Sequence, residues 1–268
     1  MSTRDHNPPT LLSRSNYHAR DSHIHFDEGP HIYTIDGDSS FTSVTTWNHM
    51  HFEQFDADLI IKRMMASKKW PESKYFGMTP DEIKAGWDKN RDESARAGTL
   101  MHYDIECYYN NSLHKDFNWS DTIEGCYFLH FLKDWGYLKP YRTEWTVFHE
   151  ELKLAGSIDM TFENEDGSLQ IYDWKRSKGI SKAPNGGKFS TTDCISHLPD
   201  SNFWHYSLQL NIYRHILESK YNHRVTGMYL VCLHPDNQNK SYQRIQVADL
   251  REEVSELVKY REQQLQVT

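Results

Sequence analysis

Three strand-like segments follow one another in the middle of this chain and constrain its fold most strongly. They cover residues 144–149, 153–162 and 169–175, with turn residues between them. A helical pattern over 203–220 and an apolar strand over 225–233 come next. From this order of elements we predict an α/β fold.

The part before these strands is predicted to be mainly helical. Residues 1–20 contain adjacent prolines and no apolar period, so we predict a flexible tail there. Residues 21–268 are expected to form one domain, with a hairpin and helices over 21–92 and the core over 93–268. Thr79 and Glu82 form a capping-box pattern that begins a helix. The long polar loop 176–200 is predicted to be functional or mobile.

Charge and cysteine content restrict the class of protein. The 268 residues carry a formal net charge of −8, which excludes a generally basic DNA-coating protein. No apolar run of about 18 residues predicts a membrane span, and no secretory signal is recognisable. The four cysteines lack CxxC spacing and are expected to be reduced thiols of an intracellular protein. Asp5 and two prolines argue against a mitochondrial targeting segment.

Two aspartates within the predicted strands point to metal chemistry. Asp159 lies late in one strand, and Asp173 lies near the end of the next. Neighbouring antiparallel strands can bring two such carboxylates close together, where they repel each other unless a cation lies between them. Oxygen ligands suit Mg²⁺ or Mn²⁺, and Lys175 shares the strand face of Asp173. These are the parts needed for phosphodiester hydrolysis, although solvated strand ends would carry the same residue types.

Two helical pairs agree with this interpretation. His102 and Glu106 are i, i+4 neighbours on one helix face. The imidazole could bind a cation, or it could simply interact with the carboxylate of Glu106. Gln209 and Tyr213 have the same spacing on the helix after the long loop. That second pair could equally mark the boundary between a helix and solvent.

Basic residues suggest where a nucleic acid could lie. The first group follows the predicted catalytic lysine, in a segment with no acidic residue between Trp174 and Thr192, and it consists of Arg176, Lys178, Lys182 and Lys188. A second strip contains Lys62, Arg63, Lys68, Lys69 and Trp70, with Tyr75 and Phe76 beyond it. The second strip fits a solvated basic face over packed aromatic residues equally well.

The motifs occur in an order that resembles a known superfamily. Gly98-Thr99-x-x-His102, Gly156-x-x-Asp159, Asp173-x-Lys175 and Gln209-x-x-x-Tyr213 are similar to motifs of the RecB-like branch of PD-(D/E)XK nucleases. The resemblance covers residues 95–235 and implies a central mixed sheet flanked by helices, with a helical N-terminal elaboration. It implies that Mg²⁺ or Mn²⁺ is bound by His102, Asp159, Asp173 and the carbonyl of Trp174.

The resemblance also implies roles for the neighbouring residues. Lys175 would be the catalytic lysine, and Gln209 and Tyr213 would position the DNA backbone. Glu144 matches a frequent family glutamate, and we expect it and Glu106 to support the metal ligands without binding the ion. Some relatives carry an iron–sulfur cluster, but the cysteines here lack its spacing, so we expect none.

The expected function is therefore that of a metal-dependent DNA exonuclease. Its substrate would be single-stranded or end-bearing DNA in replication, repair or recombination, with partner proteins from these processes. Two alternatives remain open, a structure-specific endonuclease of the same fold and a non-catalytic nucleic-acid-binding protein.

Overall fold

The computed structural model of this chain describes residues 9–266. The N-terminal elements are a short helix α1 (Leu11–Ser15), strands β1 (Ile24–Asp27), β2 (Ile32–Ile35) and β3 (Thr42–Ser43), and helices α2 (Val44–His49) and α3 (Ala57–Met65). Helices α4 (Pro80–Tyr109) and α5 (Ile123–Trp135) lead into strands β4 (Lys139–His149), β5 (Leu154–Glu163) and β6 (Leu169–Lys175). Helix α6 (Asn202–Lys220), strands β7 (Val225–Cys232) and β8 (Gln243–Gln246), and helix α7 (Arg251–Gln266) complete the chain.

The central sheet is mixed, and helices flank it. Strand β5 pairs antiparallel with β4 and β6, and its first two residues also pair with β3. Helix α6 connects β6 to β7, which lie parallel, and β8 pairs antiparallel with β7. The predicted α/β class, with a mixed sheet between helices, is therefore confirmed.

Two apolar cores hold the helices against the sheet. One lies under α2, α6 and α7 and includes Trp145, Ile158 and Ile171 from the strands. The other lies under α4 and α5 and includes Met160, Tyr172 and Trp174. Both faces of the sheet are thus covered, which explains why Ile171 and Tyr172, neighbours on strand β6, are both buried but in different cores.

The hairpin and the helix starts follow local sequence signals. Strands β1 and β2 form the predicted antiparallel hairpin as a separate two-stranded sheet. Helix α2 begins where the Ser43 side chain accepts a hydrogen bond from the N–H of Thr46. Thr79 and Glu82 form a reciprocal capping box that starts α4. Helix α4 then runs 30 residues without a break, straight through the predicted boundary at residue 92.

The prediction of a flexible tail is wrong for its described part. Leu12 is buried, Asn16 donates a hydrogen bond to the carbonyl of Tyr141, and Arg20 makes a two-bond ion pair with Glu150. These contacts fix residues 11–20 along strand β4. No local sequence pattern reveals them, because the hydrogen-bond partners of Asn16 and Arg20 lie 125 and 130 positions away. Residues 1–8, the rest of the predicted tail, lie outside the described residues.

None of the helices within residues 9–266 is long and apolar enough to cross a membrane.

Candidate metal centre

Glu144 and Asp159 occupy facing positions on strands β4 and β5. The pairs Thr143–Met160 and Trp145–Ile158 flank them, so the register places the two carboxylates opposite each other. Glu144 has a φ of 41°, in the left-handed region that residues other than glycine seldom adopt. Such backbone strain costs on the order of 1–3 kcal/mol and is concentrated at functional sites.

This irregularity changes which face of the sheet the strand residues occupy. Residues two apart share a face in a regular strand. Ile158, however, packs in the core under α6, whereas Met160 packs in the core under α5. The alternation therefore shifts at the Glu144–Asp159 position, and the two carboxylates lie at the seam between the two cores.

Asp173 extends the row of carboxylates to a third strand. The paired register of β5 and β6 ends at Met160–Tyr172, and the next position places Asp159 beside Asp173. There the N–H of Trp174 donates a 2.9 Å hydrogen bond to Oδ2 of Asp159. The hydrogen bond from Trp174 thus anchors one carboxylate at the point where the two strands separate.

Helix α4 brings an imidazole to this row. Met101 and Ile105 pack into the core under α5 and set the rotation of the helix. His102, next to Met101, places Nδ1 3.5 Å from Oδ2 of Asp159 and 3.7 Å from Oε1 of Glu144. The predicted neighbour Glu106 lies one turn further along α4.

His102, Glu144 and Asp159 form a donor set that suits a divalent cation. One potential ligand atom from each of them lies within 4.8 Å of the others. An imidazole nitrogen with two carboxylate oxygens, at a half-buried site, fits Mn²⁺ or Mg²⁺. Glu144 therefore lies among the candidate ligands, where the sequence predicts a supporting residue.

The titration of these groups reflects crowded negative charge. Burial raises the pKa of Asp159, against the opposing charges of His102 and Lys175. Burial also opposes protonation of His102, but Asp159 and Glu144 outweigh it and raise its pKa to about 9. Burial and the charge of Glu144 raise the pKa of Glu106 to about 8. Protons therefore neutralise part of the charge that a bound cation would otherwise neutralise.

Asp173 interacts with the predicted catalytic lysine. Its Oδ2 lies 2.7 Å from Nζ of Lys175, and the carboxylate is 7% exposed. That oxygen is buried and receives no well-directed hydrogen bond within the described residues. Burial raises the pKa of Asp173 to about 6, with Lys175 opposing this effect. Asp173 therefore keeps a free acceptor direction that an ion or a water could use.

Tyr206 completes the surroundings of Lys175. The ammonium lies 4.6 Å from the centre of its ring, on the side formed by α6. An aromatic face stabilises a desolvated cation. Sequence reasoning missed Tyr206, because it belongs to no motif and only the fold brings α6 beside the end of β6.

Gln209 and Tyr213 lie on the same side of α6 as the site. Tyr213 is buried, and a Cβ added to Gly156 would lie 2.7 Å from its hydroxyl, so glycine at 156 leaves room for the tyrosine. Gln209 donates a hydrogen bond to the Thr45 hydroxyl at 3.0 Å. Tyr213 is therefore a core residue beside the site.

Two of the expected contacts stay predictions. They are the contact of Gln209 or Tyr213 with DNA and the binding of a metal ion by the Trp174 carbonyl.

The predicted basic loop is largely neutralised within the protein. Arg176 pairs with Glu124 at 2.6 Å, Lys178 with Asp236 at 3.1 Å, and Lys188 with Glu53 at 2.7 Å. Lys182 instead lies over the ring of Phe203. Acidic partners from distant parts of the chain reach this loop, which reduces the positive charge that these four residues offer to phosphates.

A second group of potential ligand atoms occurs at the β4–β5 turn. It consists of His149, Glu150 and Glu151. Glu150 is bound by Arg20, and Glu151 accepts from Lys220 at 2.5 Å. These cations already neutralise both carboxylates, so the donor set at His102 is the better candidate.

No model of a known protein family matches the sequence, and a search of curated proteins finds no significant match.

Proposed function

We propose that this protein is a divalent-metal-dependent DNA exonuclease with a PD-(D/E)XK fold of the RecB-like type. One observation carries the proposal. An imidazole and two carboxylates converge at His102, Glu144 and Asp159, beside the buried Asp173–Lys175 pair. The motif order of the sequence and the mixed sheet between helices support the same conclusion.

His102, Glu144 and Asp159 would hold the ion, and Asp173 lies beside Asp159 on the neighbouring strand. When bound, Mg²⁺ or Mn²⁺ supplies a water of lowered pKa and a positive charge near the phosphate. Asp159 is fixed for this role by the hydrogen bond from the N–H of Trp174. His102 must be neutral at Nδ1 to bind a cation, so metal binding releases its proton.

Lys175 supplies a fixed positive charge next to this site. Burial opposes protonation, but Asp173 and Asp159 outweigh it and raise the pKa of the lysine. The ammonium is therefore charged at neutral pH and held between Asp173 and the ring of Tyr206. In that position it can stabilise the negative charge that develops on a phosphate during hydrolysis.

A single assay tests activity, metal need and strand preference. Single- and double-stranded oligonucleotides with end labels are incubated with Mg²⁺, Mn²⁺ or EDTA. The wild type is expected to release short products with either metal and none in EDTA. Asp159→Asn and Lys175→Ala are expected to lose at least about 100-fold in rate, whereas Glu165→Gln, an exposed control on the β5–β6 turn, keeps it.

The same assay separates the competing functions. Equal cleavage by wild type, Asp159→Asn and Lys175→Ala would overturn the assignment of the site. A circular single-stranded substrate should stay intact, and its cutting at the linear rate would indicate an endonuclease. Binding of DNA without cleavage under any metal would indicate a non-catalytic binding protein.

A further inference from the structure

The outer half of helix α4 extends away from the core and carries a small satellite of structure. Residues 88–96 of the helix are exposed on every side. A helix without a buried face commonly bridges two separately packed parts. The satellite consists of α3, the turns over 66–78 and the first turns of α4, and within 53–100 only Ile61 and Ile83 are buried. Most of its side chains are therefore at least partly accessible to a partner.

One surface of the satellite is basic in a chain that is acidic. Lys62, Lys68, Lys69 and Lys74 are all exposed, although the whole chain carries −8. Among residues 9–266 none of these four lysines has a carboxylate within ion-pair distance, whereas Asp58 on the same satellite is bound by Lys84. Four unneutralised ammonium groups in thirteen residues favour a polyanionic partner.

Aromatic side chains lie among these lysines. The rings of Trp70 and Phe76 meet edge to face at 6.0 Å, and Phe76 is 58% exposed. Trp70 and Lys69 line one shallow cavity of about 300 Å³ together with Met64, Ser67, Ser73 and Glu72, the only acidic residue within 62–74. Consecutive backbone turns hold the two rings, from Trp70 N–H on the Ser67 carbonyl to Phe76 N–H on the Ser73 carbonyl. Backbone hydrogen bonds therefore hold the segment that carries the Trp70 and Phe76 rings, although few of its side chains are buried.

We infer that this surface, named the satellite surface and formed by Lys62, Lys68, Lys69, Trp70, Lys74 and Phe76, binds single-stranded nucleic acid. The lysines would neutralise phosphates, and the two rings would stack on unpaired bases. Double-stranded DNA has the phosphates but no free base faces, so it can contact the lysines but cannot stack on the two rings. The inference rests on the proposed function, since it assigns a binding site to the same class of substrate.

The position of the satellite surface predicts a dependence on strand length. His102 lies 22 residues beyond Pro80 along α4, a distance of about 33 Å at 1.5 Å per residue. Even a strand stacked as tightly as in B-DNA, at about 3.4 Å per nucleotide, covers this distance with roughly ten nucleotides, and a more extended strand needs fewer. A tetranucleotide can therefore reach the metal centre or the satellite surface, but not both, while a 25-mer can reach both.

Binding is measured first, without catalysis. The full chain in EDTA is titrated onto a fluorescent dT25, and anisotropy is recorded at several salt concentrations. The variant Lys68→Glu/Lys69→Glu/Lys74→Glu is expected to bind at least tenfold more weakly, and its log–log salt slope should fall by about 2. Trp70→Ala should weaken binding by about fivefold or more with the slope unchanged. The matched control Lys115→Glu/Lys133→Glu/Lys240→Glu has the same change in net charge at exposed positions elsewhere and should bind like wild type.

Cleavage then separates this inference from the proposed function. With Mn²⁺, the satellite variant should cut dT25 several-fold more slowly, by a raised KM, and cut dT4 at the wild-type rate. Binding of dT25 by the satellite variant as tight as by wild type would overturn the inference and leave the nuclease proposal standing. The same loss of affinity in the satellite and control variants would overturn it too, because net charge alone would then explain the effect. Weaker binding by the satellite variant alone, with no cleavage by wild type, would support this surface and contradict the proposed function.

Discussion

Glu144 lies directly opposite Asp159 on the neighbouring strand, in a left-handed backbone conformation, and His102 contacts both carboxylates. Two facing carboxylates repel each other and a strained backbone costs free energy, so both weaken a sheet. A cation between the carboxylates would offset their repulsion. In this protein the arrangement places three potential ligand atoms within 4.8 Å of one another. The Glu144–Asp159 pair, with His102 beside it, is therefore the centre of the candidate site.

Replacing Glu144 should separate metal binding from stability. Glu144→Gln removes one ligand charge, so the affinity for Mn²⁺ by calorimetry is expected to fall at least tenfold. Its melting temperature in EDTA should change by less than about 3 °C, because the lost attraction to His102 offsets the lost repulsion from Asp159. Glu165→Gln is the control and should change neither quantity. Unchanged Mn²⁺ affinity in Glu144→Gln would remove Glu144 from the site.

The Asp173–Lys175 pair should behave as a buried ion pair. Lys175→Met leaves the carboxylate without its cation and is expected to lower the free energy of unfolding by roughly 3 kcal/mol at pH 8. The loss should shrink at pH 5, because Asp173, whose pKa is already about 6, then takes up a proton. The double variant Asp173→Asn/Lys175→Met should regain most of the stability and none of the activity. Urea denaturation at both pH values measures this, and an identical loss at pH 5 and 8 would contradict it.

Tyr206 is predicted to position the lysine through its ring. Tyr206→Phe keeps the aromatic face and should retain kcat within about threefold, whereas Tyr206→Leu loses a cation–π contact of about 1–2 kcal/mol and should lower kcat about tenfold. KM should change little in either variant, since the ring touches Lys175 rather than the substrate. Similar kcat values for the two variants would show that the ring has no such role.

Acid should destabilise the fold through His51. Burial lowers its pKa to about 4, with Arg261 adding to the effect, and Nε2 has no hydrogen-bond partner within the described part of the chain. The unfolded chain binds this proton near pH 6.5 and the folded chain only near pH 4. Stability is therefore full above pH 6.5 and falls as the pH drops toward 4, by about 3 kcal/mol for this group. Urea denaturation from pH 7.5 to 4.5 tests this, and the slope should flatten in His51→Gln. A slope that His51→Gln leaves unchanged would contradict this assignment.

Periodicity and capping predict most of the elements because these signals are local. Thr79 begins a helix at the expected residue, and strand β6 has the predicted bounds. Long-range contacts are harder to predict. The burial of Leu12 and the pairing of Arg176 with Glu124 each depend on a residue many positions away.

The candidate site shows the same division. Its motifs identify His102, Asp159, Asp173 and Lys175, and the fold brings these residues together. The sequence predicts Glu144 only as a supporting residue, because no residue pattern encodes the positive φ at which the strand faces shift. A register argument could have found it, since a β4–β5 turn centred on residues 151–152 places 144 opposite 159.

Anomalous diffraction from crystals soaked in millimolar Mn²⁺ is the most direct test of the metal centre. One strong peak is expected about 2.0–2.3 Å from Nδ1 of His102 and from carboxylate oxygens of Glu144 and Asp159, next to the carboxylate of Asp173. The same crystals of Asp159→Asn should lack that peak. A wild-type map with no manganese between these three side chains, or with the ion bound elsewhere in the chain, would contradict the assignment of this metal centre.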